Sequence, residues 1–288
     1  IYMLEALEDP ADPEYETYSE WLPDGFDPDD FDAKQVNREL QAMDLLRRLA
    51  EGEDGFEALA EAFAAPAYEE PVCRLLTLGE PKSEVDYATL GIGPEHVPEL
   101  IEMATDVALH QAEAESTEVW APVHAWRALG WLRAEAAVEP LVALLRRVDE
   151  EQDDWAGEDI PDALAEIGAP ALSAVSAFLH DESRGLWGRI AATACLGSMG
   201  ERHPETREAC VAALTDQLER YAENNEDLNA FLILALVELD AVESASAMER
   251  AFAADAVDLG VQGDWEETQV RLGLLEKRTT LPPFCVSL

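Results

Sequence analysis

The side chains of this sequence best suited to chemistry are aromatic and cationic groups that recur at matched places. Trp120 in EVWAPVHAWRALG, Trp155 in DDWAGEDIPDALAEIG and Trp187 in GLWGRIAATACLGSMG each stand about two helical turns before an Ala-Leu or Cys-Leu phrase. Equivalent places in stacked repeats line up, so the three indoles are expected to form a row along one face. An exposed row is a groove for a peptide or a flat ligand; a covered row is packing between repeats. Trp126 and Trp131 read as core. Arg127, Arg133, Arg184 and Arg189 lie close to the same tryptophans. A guanidinium there either grips a carboxylate or phosphate with two parallel hydrogen bonds or pairs with one of the many neighbouring acids. Trp120, Trp155, Trp187, Arg127 and Arg189 form the candidate binding set.

Other chemistries find less support. The five histidines (His96, His110, His124, His180, His203) form no HExxH and no zinc-like spacing, so no metal is expected. Asp27, Asp29, Asp30 and Asp32 resemble a calcium loop but lack its glycine and distant glutamate, which makes them a solvated acidic turn. Asp149 to Asp154 reads as a hydrated loop between repeats. No Gly-rich phosphate loop, GxSxG elbow or Ser-His-Asp arrangement occurs, so no catalytic residue and no cofactor is expected. Cys73, Cys195, Cys210 and Cys285 contain no CxxC pair, and the apolar helical context of Cys195 and Cys210 predicts buried free thiols.

Charge narrows the partners. The chain has 62 acids against 19 bases, a formal net charge of −43 in 288 residues. Only Lys34, Lys82 and Lys277 are lysines; the other bases are arginine. With no basic stripe to neutralise phosphates, nucleic acid is not an expected partner, and anionic membranes are disfavoured for the same reason. Self-repulsion on this scale reaches neighbouring carboxylates at physiological salt, where the Debye length is about 8 Å, and is screened within about 3 Å at molar salt. Acid excess with few lysines therefore reads as salt adaptation. No run of 18 apolar residues and no basic-then-apolar leader is present, which predicts a cytoplasmic protein. The opening Ile1 reads as a processed, tagged or truncated start.

These residues need elements to position them. Ala, Leu, Glu and Arg dominate while aromatics reach 7 %, a composition of helices. Residues 1–35 read as an irregular extension. Residues 36–94 read as a helical pair (36–65) followed by a Pro- and Gly-punctuated linker, and a helix is expected from about Glu95 to Ala114. From 95 to 288 one pattern recurs: ALGWLRAEAAVEPLVALL from Ala128, ALAEIGAPALSAVSAFL from Ala163, ACLGSMGERHPETREACVAAL from Ala194 and ALVELDAVESASAMERAF from Ala235. The starts lie 35, 31 and 41 residues apart, the period of stacked helical pairs. A last helix before Pro282 and Pro283 is expected to cap the array.

The four phrases resemble HEAT repeats of the PBS-lyase HEAT-like kind, whose usual form is ALGxLGDPEAVPALLxLL; residues 128–145 match closely and 163–179 well. The resemblance implies an all-α fold, a right-handed α-solenoid of HEAT-like helical hairpins. It implies a non-enzymatic scaffold for a protein or peptide partner, basic in character given the acidic surface. A bilin-lyase type enzyme is the alternative it leaves open. The N-terminal stretches Tyr2 to Leu7, Asp12 to Leu22 and Phe26 to Leu40 resemble the closing YxxLLEAL, DPxHPEYExYxEWL and FDPxxFDxxxVNxxL of the plasmid Orf-three-like (TnpR-like passenger) family. That likeness covers about a seventh of the chain and implies the repeat half of a mobile-element passenger protein.

Overall fold

The computed structural model describes residues 68–82 and 85–282. The expected extension over 1–35, the helical pair of 36–65, the acidic turn at Asp27 to Asp32, and Cys285 lie outside them. By its contacts the chain divides after Pro66, and all described residues belong to the second unit, Ala67–Leu288. Among the described residues the fold is all-α, without strands. The main helices are α1 (Val97–Ala104), α2 (Ala121–Trp131), α3 (Val138–Leu144), α4 (Asp154–Ile167), α5 (Ala169–His180), α6 (Leu186–Arg202), α7 (Arg207–Leu218), α8 (Glu226–Glu238), α9 (Ala245–Ala253) and α10 (Trp265–Arg271). Single helical turns lie at Val107–His110, Arg147–Glu150 and Leu259–Gln262. None of these helices is long and apolar enough to cross a membrane.

The helix expected from Glu95 to Ala114 is broken in two. α1 ends at Ala104, and Asp106 starts a new turn by accepting the Ala108 N–H at 2.8 Å and the Tyr68 hydroxyl at 2.8 Å. A short carboxylate that satisfies a free helix-start N–H favours the cap over the helix interior.

Each recurring phrase begins in the second half of the first helix of a pair, runs through the turn into the second helix, and supplies the core of both. Leu129, Leu164, Leu196 and Leu236 are all fully buried, and Leu141, Val175, Leu214 and Met248 answer them from the second helices. The first helices pack in series, α1 on α2, α2 on α4, α4 on α6 and α6 on α8; the second helices do likewise from α3 through α5 and α7 to α9. No single pair buries its own apolar face, so successive pairs share one continuous core.

Small residues set the spacing of the first helices. A Cβ on Gly130 in α2 would meet the Ala163 Cα of α4 at 2.7 Å, and one on Gly197 in α6 would meet the Ala235 Cβ of α8 at 3.3 Å. At these two seams the glycine that follows the phrase's leucine faces the first residue of the next phrase. The turns repeat as well. Arg133, Gly168 and Asp240, each five residues after the start of its phrase, adopt left-handed backbone with φ of 50°, 80° and 50°. Arg133 N–H donates to Gly130 O and Ala134 N–H to Leu129 O; Asp240 and Ala241 repeat this pairing on Val237 and Leu236. This is the double carbonyl closure of a helix C-terminus. In the third unit α6 instead runs on to Arg202 and stops before Pro204.

Arginines bridge the same seams. Arg202 in α6 reaches Asp162 at 2.8 Å and Glu166 at 3.2 Å in α4, Arg207 reaches Glu243 at 2.8 Å, and Arg220 and Arg250 pair with Glu182 and Glu219. At the carboxyl end Arg278 grips Asp264 with two bonds of 2.6 Å, tying residues 278–281 to the start of α10.

Gly130→Ala is expected to destabilise by about 1–3 kcal/mol, because the added methyl meets backbone that cannot move aside. Gly157→Ala in α4, whose methyl would lie 3.5 Å from Val148 at ordinary contact, is expected to stabilise by about 0.5–1 kcal/mol through helix propensity. Opposite shifts in the two melting temperatures check the seam; shifts of the same sign contradict it.

Candidate functional site

The site is built on the carbonyl of Ala104, the last residue of α1. It accepts Trp126 Nε1–H at 3.0 Å and a bond of 3.0 Å from His110 Nε2. The two rings stack with centroids 5.7 Å apart and planes 27° from parallel. Trp126 is fully buried. Burial, with the Arg147 charge adding to it, pushes His110 down to about 4, so the imidazole is neutral at pH 7. With Nε2–H spent on Ala104, Nδ1 is the ring atom that keeps a lone pair.

Trp120, in the turn that leads into α2, and Trp155, in the first turn of α4, complete the aromatic wall. Their centroids lie 5.0 Å apart and their planes cross at 81°, an edge-to-face pair. With Val119, Pro122 and Val123 these indoles enclose a cavity of about 180 Å³, room for one side chain. Arg147 and Asp153 supply its polar edge. Arg147 donates Nε–H and Nη2–H to Asp153 Oδ2 at 3.1 Å each and Nη1–H to Glu151 at 2.8 Å. Asp153 Oδ1 in turn accepts the Ala156 N–H at 3.0 Å, which caps α4. One carboxylate thus starts the helix that carries Trp155 and fixes the guanidinium beside it.

The remaining members of the candidate set lie elsewhere. Trp187 is 51 % exposed and lies outside the cavity lining. Its backbone N–H and that of Gly188 donate to the Asp149 carboxylate at 2.9 and 2.7 Å. Asp149 sits so close that a Cβ on Gly185 would fall 2.1 Å from its Cγ. Arg127 pairs with the buried Asp159 and donates to Pro81 O at 3.2 Å. Arg189 is buried; its Nε–H donates to Leu179 O at 2.8 Å and its Nη2 has no partner. Arg184 pairs with Asp181 at 2.8 Å and lies over the Phe178 ring, while Arg133 is exposed. Trp131, expected in the core, is about half exposed and packs its ring near Tyr87. The structure therefore brings Trp120 and Trp155 together and places Trp187, Arg127 and Arg189 outside their cavity.

Three cavity residues were not legible as site residues. Asp153 has a signal, an Asp at the residue before a helix, which the helix-start rule reads as a cap. His110 and Arg147 have none, because what defines them is contact with Ala104 and Asp153. Asp149 and Asp153, in the stretch expected to be a hydrated loop, instead cap α6 and α4. Cys195 and Cys210 are buried free thiols, and burial pushes both up. Among the described residues no three His, Cys, Asp or Glu side chains are grouped to hold a metal ion.

Comparison with protein-family models, with curated proteins and with solved structures finds no match.

The His110 arrangement has a pH signature. Its folded value lies below the ordinary histidine value, so the unfolded chain takes up the proton first and stability falls as pH drops from about 6.5 toward 4. His124, held by Gly79 O and beside the Tyr87 hydroxyl, shifts the same way through burial. His110→Phe is expected to make the loss of melting temperature between pH 6.5 and 5 visibly shallower than in the parent. An unchanged slope contradicts a neutral buried His110.

Proposed function

We propose that this protein is a non-enzymatic scaffold, a right-handed α-solenoid of HEAT-like hairpins that receives one side chain of a basic protein or peptide segment in the Trp120–Trp155 cavity. The cavity carries the reading. It is open to one side chain, aromatic, and set in a chain of net charge −43, where electrostatics favour a cationic partner and repel an anionic one. The solenoid is supported by the serial packing of first and second helices, the recurring left-handed turn and the repeated glycine-to-alanine seam. Paired aromatics in a pocket are where binding energy concentrates, and the acid-rich surroundings supply selectivity.

Selection from a random-peptide pool, followed by anisotropy titration of the recovered sequences, tests this. Recovered peptides are expected to be rich in Lys or Arg and to bind Trp155→Ala at least tenfold more weakly, with Trp187→Ala unchanged. Equal binding to the parent and to Trp155→Ala overturns the assignment.

Salt adaptation and residence in a salt-rich cytoplasm belong to the same proposal. Carboxylates act on one another: burial and contact with Asp258 push Asp227 up, and burial with repulsion from Glu201 pushes Glu238 up. Screening relieves such pairs, so the melting temperature is expected to rise between 0.1 M and 2 M KCl. A flat or falling curve contradicts it.

A further inference from the structure

The same cavity discriminates among cations, an inference that rests on the scaffold reading and makes it narrower. Its capacity to accept hydrogen bonds is nearly exhausted. Asp153 already accepts from Arg147 twice and from Ala156 N–H, and Arg147 spends Nε, Nη1 and Nη2 on carboxylates. An incoming primary ammonium brings three N–H donors and a guanidinium five. Against these the lining side chains offer the His110 Nδ1 lone pair and one remaining position on Asp153, so donors turned toward the walls lose water and find few acceptors. A cation with no N–H at all escapes this cost.

The field favours such a cation. Arg147 is opposed by both Asp153 and Glu151, so this trio carries a formal charge of −1 beside the indoles. Exposed Glu113, Glu115, Glu118 and Asp154 flank the lining segments in the chain. Indole faces attract cations most when the cation is weakly hydrated, and tryptophan is the strongest aromatic partner. An anion would meet this negative field and be repelled by Asp153 and Glu151. A neutral apolar group would fit the walls and gain nothing from the charge.

We propose that the Trp120, Trp126 and Trp155 cavity is an aromatic cage for a quaternary ammonium group, carried on the basic partner segment as a trimethylated lysine side chain. The cage binds by indole-to-cation attraction, and the Arg147–Asp153–Glu151 cluster provides net negative charge beside it.

Tryptophan emission of the full chain, titrated at constant ionic strength held with KCl, tests this. The probes are choline, its neutral isostere 3,3-dimethylbutan-1-ol, and the acetylated amides of trimethyllysine and lysine. Choline and the trimethyllysine amide are expected to give saturable changes, each about fivefold or more tighter than its neutral or unmethylated counterpart. Trp155→Ala is expected to abolish both responses. Trp155→Phe, which keeps a ring and so protects the fold, is expected to retain a weaker response with an unchanged melting temperature. Equal affinity for choline and dimethylbutanol overturns the cage, as does equal affinity for lysine and trimethyllysine. Trp155-dependent peptide binding that choline does not compete also overturns the cage and leaves the scaffold standing. Choline binding without binding of a trimethyllysine peptide overturns the peptide source.

Discussion

The close approach of the first helices fixes what surrounds it. Gly130 lies against Ala163 at a separation that leaves no space for a side chain, and Gly197 lies against Ala235 at one that would be tight for a methyl. Packed cores tolerate little change in such spacing, since dispersion contacts are lost on widening and overlap grows on narrowing. With the first helices this close, the leucine one residue before each glycine, Leu129 and Leu196, turns inward and is fully buried. The second helices then close the core from the other side. The cavity depends on the same spacing, because Trp120 leads into α2 and Trp155 begins α4, the two helices joined by the Gly130 contact.

Cations are scarce in this chain, and where they are placed is informative. Arg127, Arg202, Arg207, Arg220 and Arg250 each pair with a carboxylate on a neighbouring helical pair. Apart from Arg127 on the buried Asp159, these pairs are exposed, and such pairs contribute little individually, about 0.2–1 kcal/mol. Their arrangement matters more than their sum. Each relieves an acid at a seam where two acidic surfaces would otherwise meet, and the repulsion that remains raises Asp227 beside Asp258 and Glu238 near Glu201.

Much of the helical order was readable because it is local. The Ala-Leu phrases carry the core leucines, and the residue five positions on carries the left-handed turn, so both repeat with the sequence. Trp120 and Trp155 recur for a reason that the structure displays, since each begins or precedes a first helix. Trp187 shares that spacing but not its surroundings. The segments before Trp120 and Trp155 supply Ala114, Val119, Arg147 and Asp153 as further wall, whereas only residues 181–185 connect α5 to α6. Asp149 then takes the start of α6 for itself. His110 was invisible as a site residue, because its role is created by the Ala104 carbonyl and the Trp126 ring, and neither contact leaves a pattern along the chain. The break of the expected helix at Thr105 follows from a preference of Asp106 that its polar side chain satisfies locally.

The glycine-to-alanine seam also makes the units interchangeable. Gly130 and Gly197 each offer a bare backbone to their neighbour, and Ala163 and Ala235 each answer with a methyl, more tightly at the first seam than at the second. Joining the first unit directly to the fourth would set Gly130 against Ala235, glycine against alanine once more. Gene rearrangements that remove or duplicate the two middle units together would thus preserve the tightest fit in the protein, so an array of this design can change length by recombination without first redesigning its joints.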